Sequence, residues 1–513
     1  MNRLATAALL VVVTAGWSGS AVAQTKSKKS AHLADARAVT PVPAAVAPTQ
    51  LLFGSLPVST RSLEARQLVE KALDDYENVM LDESIASSKK AVEKDSQFAL
   101  AYALWSFAAR RDEPATDALA KANALAGHAP AEEQLLVRWM VSTQSPDLLP
   151  AISLMNDLLQ RFPNDKHILY LSAEWLYFQQ DYDRSKKLFE KALQADPKFA
   201  PSLNMLGYAY IETGEPDPAK AKAALQRYAE LLPDQPNPHD SLGEVLRYAS
   251  QDEESIKEYR QALKISPTFY TSQLGVGETM TLMGKYDEAR DELDKAVAMA
   301  PSTRDKLHIE FQKVFIRFWE GKPEVGREEL KALEDKAREQ NDGYAQYDIG
   351  LGRAFLAANT DEELTQLSRL ESIFSNPISS MAEGDRHTAL ASILREEVRV
   401  LSALDKLEAA QSEIRELEEL SNTTRDRIIE DCYESARGYV LFAQHDYANA
   451  VDELTSDLHS PLVVAQLIAT EQKLNNADGT EKARVRLKYL RTPTAEWLVV
   501  TKMNSEGSQS AAK

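Results

Sequence analysis

Five prolines, Pro163, Pro197, Pro233, Pro267 and Pro301, follow one another at intervals of 34, 36, 34 and 34 residues. No other feature of the chain restricts its fold so tightly. Proline stops a helix, because it has no backbone N–H to donate and biases the residue before it away from the helical region. A stop that recurs about every 34 residues marks a unit of two short helices. One such hairpin cannot bury its apolar face alone, so copies must stack and the chain grows as a solenoid. The expected fold class is all-α, a solenoid of antiparallel helix pairs.

The units agree at more than the proline. Gly277, Gly284, Lys285, Tyr286, Asp287, Ala289, Leu293 and Ala296 precede Pro301, and Leu242, Gly243, Leu246, Tyr259 and Ala262 precede Pro267. Two earlier copies carry Leu203, Leu206, Gly207, Tyr210 and Gly214, and Leu169, Ala173, Asp181, Tyr182, Asp183, Phe189 and Ala192. A small residue in the first helix (Ala173, Gly207, Gly243, Gly277) lets the second helix approach, and an alanine in the second (Ala192, Ala262, Ala296) reciprocates. One unit departs from this: Tyr228 replaces the second-helix alanine, and Glu215 to Pro218 lengthens the turn. Looser copies flank the core. Upstream they show at Leu68, Ala72, Ala91, Tyr102, Leu104 and Trp105, and in the stretch Leu148 to Phe162. Downstream they show at Val314 to Ala337, around Gly321, Lys322 and Pro323, and at Gly438, Leu441, Asp446, Tyr447, Ala450 and Leu454.

This set of residues resembles the tetratricopeptide repeat family, whose pattern runs W-x2-L-G-x2-Y and then A-x3-F-x2-A-x4-P over two antiparallel helices. The resemblance covers residues 166–301, with looser copies across most of 61–500. It implies a right-handed superhelix whose first helices line a concave groove that holds a protein or peptide partner. On the matched positions that face is Tyr170, Glu174, Tyr177, Asn204, Tyr208, Asp240, Glu244, Arg247 and Glu278. Tyrosines supply large, rigid contact area with a polar tip, and the neighbouring carboxylates favour a partner segment bearing Lys or Arg. The set lacks the lysine-rich pattern by which some relatives clamp a partner's C-terminal carboxylate.

The N-terminus reads as a secretory signal over residues 1–23: Arg3, an apolar run from Leu4 to Ala15, and Ala21-Val22-Ala23 before Gln24. The run is short of the roughly 20 apolar residues that span a bilayer, so no stable membrane insertion is expected. The mature chain is expected to start at Gln24 and to be periplasmic or secreted. Residues 24–60, with Lys26, Lys28, Lys29, Pro41, Pro43 and Pro48 among alanines and serines, read as a flexible linker. Residues 61–310 read as the solenoid, 311–500 as divergent helical repeats and 501–513 as a disordered tail.

The formal net charge is −19; without Arg3 and the net +3 of residues 24–60, residues 61–513 carry −23. Such a body repels nucleic acid, whose phosphates need a positive surface. The eight histidines are scattered, with no H-E-x-x-H pair and no cysteine partners for zinc. Neither a G-x-S-x-G elbow nor a phosphate loop occurs. Gly275-Val276-Gly277 and Gly350-Leu351-Gly352 are fragments of a dinucleotide fingerprint inside helical sequence. Cys432 is the single cysteine, which excludes an internal disulfide and suits a buried apolar role. No catalytic, cofactor or metal residues are expected. The function read from this is non-enzymatic: an exported scaffold for protein–protein or protein–peptide interaction in the cell envelope. The alternative is a scaffold fused to an unrecognised envelope hydrolase or modifying activity in residues 311–500. Whether Phe311, Phe315, Phe318 and Trp319 pack as further repeats separates the two.

Overall fold

The computed structural model describes residues 50–109 and 113–501. It opens with an antiparallel hairpin, β1 (Gln50–Leu52) and β2 (Leu56–Val58), paired in the register Leu52 to Leu56. Three helical hairpins follow: α1 (Leu63–Glu77) with α2 (Leu81–Lys94), α3 (Ala99–Ala108) with α4 (Glu113–Ala126), and α5 (Ala131–Ser142) with α6 (Leu149–Arg161). The four proline-marked units come next: α7 (Lys166–Phe178) with α8 (Tyr182–Ala195), α9 (Ala200–Glu212) with α10 (Pro218–Leu231), α11 (Asn237–Tyr248) with α12 (Asp252–Ile265), and α13 (Tyr270–Leu282) with α14 (Tyr286–Met299). Beyond Pro301 the stack continues through α15 (Thr303–Trp319) and α16 (Pro323–Glu339), α17 (Gly343–Phe355) and α18 (Thr360–Phe374), and α19 (Glu383–Ala403) and α20 (Leu407–Thr424). It then runs through α21 (Arg427–Ala443) and α22 (Tyr447–Leu454), and α23 (Pro461–Lys473) and α24 (Ala477–Lys488). Each helix packs on its hairpin partner and on the next hairpin.

One turn geometry joins the helices of most hairpins. Gln180, Ser250, Gly284, Asp405, His445 and Asn475 each adopt a positive φ, between 55° and 75°. The next N–H then reaches back to close the helix: Asp181 to the Leu176 carbonyl at 2.9 Å, Lys285 to Met280 at 3.0 Å and Asp446 to Leu441 at 2.9 Å. This left-handed cap satisfies carbonyls that would otherwise end the helix unpaired. The same geometry recurs at Gly321 between α15 and α16 and within the three hairpins from α19 to α24. Phe311, Phe315 and Phe318 are buried core and Trp319 packs against them, so the aromatic run is packing and not an exposed ligand box.

Packing within each hairpin rests on the small residue of the first helix. A Cβ placed on Gly277 would stand 2.7 Å from Leu293 Cδ2, and one on Gly243 would stand 2.9 Å from Tyr259 Cδ1. Gly438 meets Leu454 in the same way at 2.6 Å, and Gly350 meets Leu370 at 2.5 Å. Gly350 and Gly352 are therefore explained by packing, the second against Phe311. In the departing unit Tyr228 is buried, and its hydroxyl accepts from Asn237 Nδ2 at 3.1 Å, which satisfies the polar end of the oversized side chain.

The reading of residues 24–60 as a linker is corrected over 50–60. Leu52, Leu56 and Val58 are buried against the first helices, Ser55 Oγ donates to Asp165 at 2.6 Å, and Thr60 Oγ1 donates to Asp95 at 2.7 Å. Alternating apolar residues around Gly54 form a hairpin there despite Pro57, whose ring sits on a short two-stranded sheet with open edges. The expected signal sequence, the cut before Gln24, the remaining linker and the tail beyond Thr501 lie outside the described residues. Among the described residues no helix is long and apolar enough to cross a membrane.

Gly243→Leu and Gly277→Leu are expected to destabilise the stack. Overpacking costs about 1–3 kcal/mol, which exceeds the gain of a little under about 1 kcal/mol in helix propensity. Thermal melts of both variants check this, and an unchanged or raised Tm in either contradicts the packing.

Candidate functional site

Residues three and four apart share one face of a helix, so Glu174 and Tyr177 on α7 and Asp240, Glu244 and Arg247 on α11 turn to the same side. Seven of the nine expected groove residues, Glu174, Tyr177, Tyr208, Asp240, Glu244, Arg247 and Glu278, line one partly open cavity of about 1470 Å³. Tyr170 and Asn204 do not line it; each is 1% exposed. The Tyr170 hydroxyl lies 3.3 Å from the Glu77 carbonyl oxygen and 3.1 Å from Glu174 Oε1, so α1 covers it. Asn204 is enclosed within the stack. Sequence periodicity placed both on the correct helices but could not show which turn of each helix a neighbour covers.

The cavity wall is a connected polar network. Glu244 accepts from Tyr208 at 3.0 Å, from Tyr248 at 2.7 Å and from Arg247 at 3.2 Å. Arg247 also pairs with Glu278, which links α11 to α13. Asp240 accepts from Ser272. Burial pushes the Asp240 carboxyl up to about 7, with the Glu244 charge adding to the rise, and burial also raises Glu278 despite its Arg247 partner. The lining is acidic in composition: among its described residues Arg247 and Arg304 are the guanidinium groups, against a larger number of carboxylates. Tyr248 and Tyr259 join the wall, and sequence reading had not assigned either to it. Tyr259 belongs to a second helix and reaches past Gly243 and Gly275, whose missing side chains make room for its ring.

The opposite wall comes from the far end of the chain, with Asp385, Asp426, His459, Tyr489 and Glu496 lining the same cavity. The expected open groove is therefore roofed. Arg486, 1% exposed, donates to the Ile211 carbonyl at 2.8 Å, to Glu212 at 3.1 Å and to the Leu458 carbonyl at 2.7 Å. Arg491 grips both oxygens of Asp252, at 2.6 and 2.9 Å. Leu148 N donates to the Thr424 carbonyl at 2.8 Å, and the Tyr182 and His459 rings meet at 4.7 Å. Nothing in the local sequence pattern announces these pairings, because repeats specify neighbours and the closure joins units far apart.

A run of helical hairpins wound until its far end meets its middle, enclosing a tyrosine-rich acidic chamber, is a binding scaffold of the helical-repeat class. A family model described as tetratricopeptide repeat matches residues 176–243. The matched stretch runs from α7 into α11, and its repeats are of the tetratricopeptide kind. Over 165 residues it is 23% identical to anaphase-promoting complex subunit 3 of Schizosaccharomyces pombe, a match covering 32% of this chain and 24% of that one. The chain thus spans about a quarter of the length of that curated relative. Solved structures similar to it include a tetratricopeptide repeat protein from Parabacteroides merdae, at 16% identity over 53% of this chain and 93% of that one, with a TM-score of 0.32. Another is YrrB, described as a TPR protein with an unusual peptide-binding site, at 19% identity over 43% of this chain and 96% of that one, with a TM-score of 0.27.

Arg486→Ala is expected to open the ring, since it leaves Glu212 buried without its guanidinium. Removing one partner of a buried pair costs about 3–5 kcal/mol. Denaturant unfolding should show that loss, and small-angle scattering should show a larger radius of gyration. A variant as stable and as compact as the parent contradicts the closure.

Proposed function

We propose that this chain is an exported scaffold that holds a Lys- or Arg-bearing segment of a partner protein in its acidic chamber. The observation that carries this reading is the acidic, tyrosine-bearing lining, in which burial first and repulsion from the Glu244 charge after it push Asp240 up to about 7 and raise Glu278. A guanidinium or ammonium brought alongside removes that repulsion, and tyrosine faces beside it add cation–π attraction. The rim already accepts such groups, since Arg486 and Arg491 of the chain itself sit on Glu212 and Asp252. Export rests on the residue pattern at 1–23 alone.

A synthetic peptide rich in Lys and Arg should bind, and its Glu-substituted counterpart should not. Charge-assisted hydrogen bonds contribute about 1.5–3 kcal/mol each, so Asp240→Asn combined with Glu244→Gln should weaken binding by at least about tenfold. Because the cation must displace the Asp240 proton, affinity should rise with pH up to about 7 and then level off. Calorimetric titration one pH unit below and one above that point, with parent and variant, checks both statements. Equal affinity for the two peptides sinks the reading.

Export has its own test: N-terminal sequencing of the protein recovered from outside the cytoplasm should begin at Gln24. Intact Met1 in a membrane fraction rejects it.

A further inference from the structure

Away from the chamber, three consecutive helices each turn one glutamate to the same place. Glu371 on α18, Glu397 on α19 and Glu413 on α20 bring carboxylate oxygens within 4.8 Å of one another. No Lys or Arg forms an ion pair with any of the three among the described residues. Arg415 on α20 acts on Glu413 through its charge, without an ion pair, while Arg369 is engaged with Glu334 and Arg399 with Glu363 and Glu396.

Acidic clusters on exposed helix faces are ordinary, because water screens them. This one differs at Glu397, which is 3% exposed. Its Oε1 accepts from Ser368 Oγ at 2.6 Å, while its buried Oε2 has no hydrogen-bond partner. A buried carboxylate oxygen without a donor, set among two further carboxylates, is costly unless something positive occupies the space. Burial first, and repulsion from the neighbouring glutamates after it, push Glu397 up to about 8 and Glu413 up to about 7.

We propose that Glu371, Glu397 and Glu413 form a binding site for one calcium ion. The donor set is all oxygen, which selects a hard cation over zinc or copper. Calcium takes oxygens at roughly 2.3–2.6 Å, so any two of its ligands stand within about 5 Å of each other, and the three carboxylate oxygens meet that limit. Magnesium requires near-ideal octahedral geometry and gives up its waters reluctantly, which three side chains on three separate helices do not serve. Glu371 and Glu413 are only half-buried, so the outward side of the ion is left to water. A cation here would tie α18, α19 and α20 together, the helices that precede the roof of the chamber.

The test uses the full chain, stripped with a chelator and titrated with calcium chloride. One Ca²⁺ per chain should bind and raise the Tm by several degrees. Loss of a group that shapes a metal site typically weakens it by about 10–100-fold, and Glu413→Gln should do at least that. Glu397→Gln should do the same; Glu413, being half-exposed, decides the matter if the buried substitution does not fold. Without calcium the order reverses above about pH 8, where the parent's carboxylates are ionised and repel one another, so each variant, having shed one charge, should melt at or above the parent. The site is overturned if calcium produces no heat and no shift in the parent, or an equal shift in the parent and in Glu413→Gln. A magnesium response equal to the calcium response overturns the choice of ion.

Discussion

Every level of this fold depends on how closely the two helices of a hairpin can approach. At Gly243, Gly277 and Gly438 the first helix has no side chain, and a tyrosine or leucine of the second helix fills the vacated space. That contact sets the wedge of each hairpin. Repetition of the wedge curves the stack, and curvature gives the stack an inside. The polar face of α7, α9, α11 and α13 is interior only because the apolar faces of the same helices are held this tightly against α8, α10, α12 and α14. Interiors packed at the density of organic crystals do not yield by a methyl group without cost, so the geometry of the chamber is inherited from contacts that lie outside it.

Closure is made differently, by charge. Arg486 is 1% exposed and surrounded by acceptors, Glu212 and the carbonyls of Ile211 and Leu458, and Arg491 holds Asp252. Desolvating a guanidinium is expensive, and the outlay is recovered only where nearly every N–H finds a partner. Such contacts add little to stability but are demanding about position. They suit a junction that must form in one register between units with no repeat relation to each other. The acidic chamber shows the converse: its lining carboxylates outnumber its lining guanidinium groups, and burial holds Asp240 and Glu278 above the usual carboxylate range.

Much of this was legible in the amino-acid order. The proline spacing and the glycine and alanine offsets specify hairpins, their partners and the side each presents, because those features are local and periodic. The same reasoning reached seven chamber residues. It misplaced Tyr170, since the covering residues of α1 belong to a unit whose pattern had decayed, and it passed over the strands at 50–58 because lysines and prolines upstream set the character of that stretch. The far wall and the glutamate cluster were not legible for a different reason. Residues that meet across the ring, such as Arg486 and Ile211, are 275 positions apart, and Glu371, Glu397 and Glu413 lie on three helices with no shared spacing motif. Periodicity reports what lies next door in the stack and is silent on what the stack encloses.

The roof has a temporal side as well. Ribosomes deliver a chain from its N-terminus, and an ordinary solenoid can form each hairpin as soon as the previous one is in place, because its contacts are short-range. Here the inner face of α7 to α13 is complete long before Arg486 and Arg491 exist. During synthesis, and during any passage of the chain in the same direction, the chamber is an uncovered trough. It becomes a room only when the last helices arrive. Covering of the inner face is therefore the last step in the assembly of the stack, made by residues that leave the ribosome after every helix they cover.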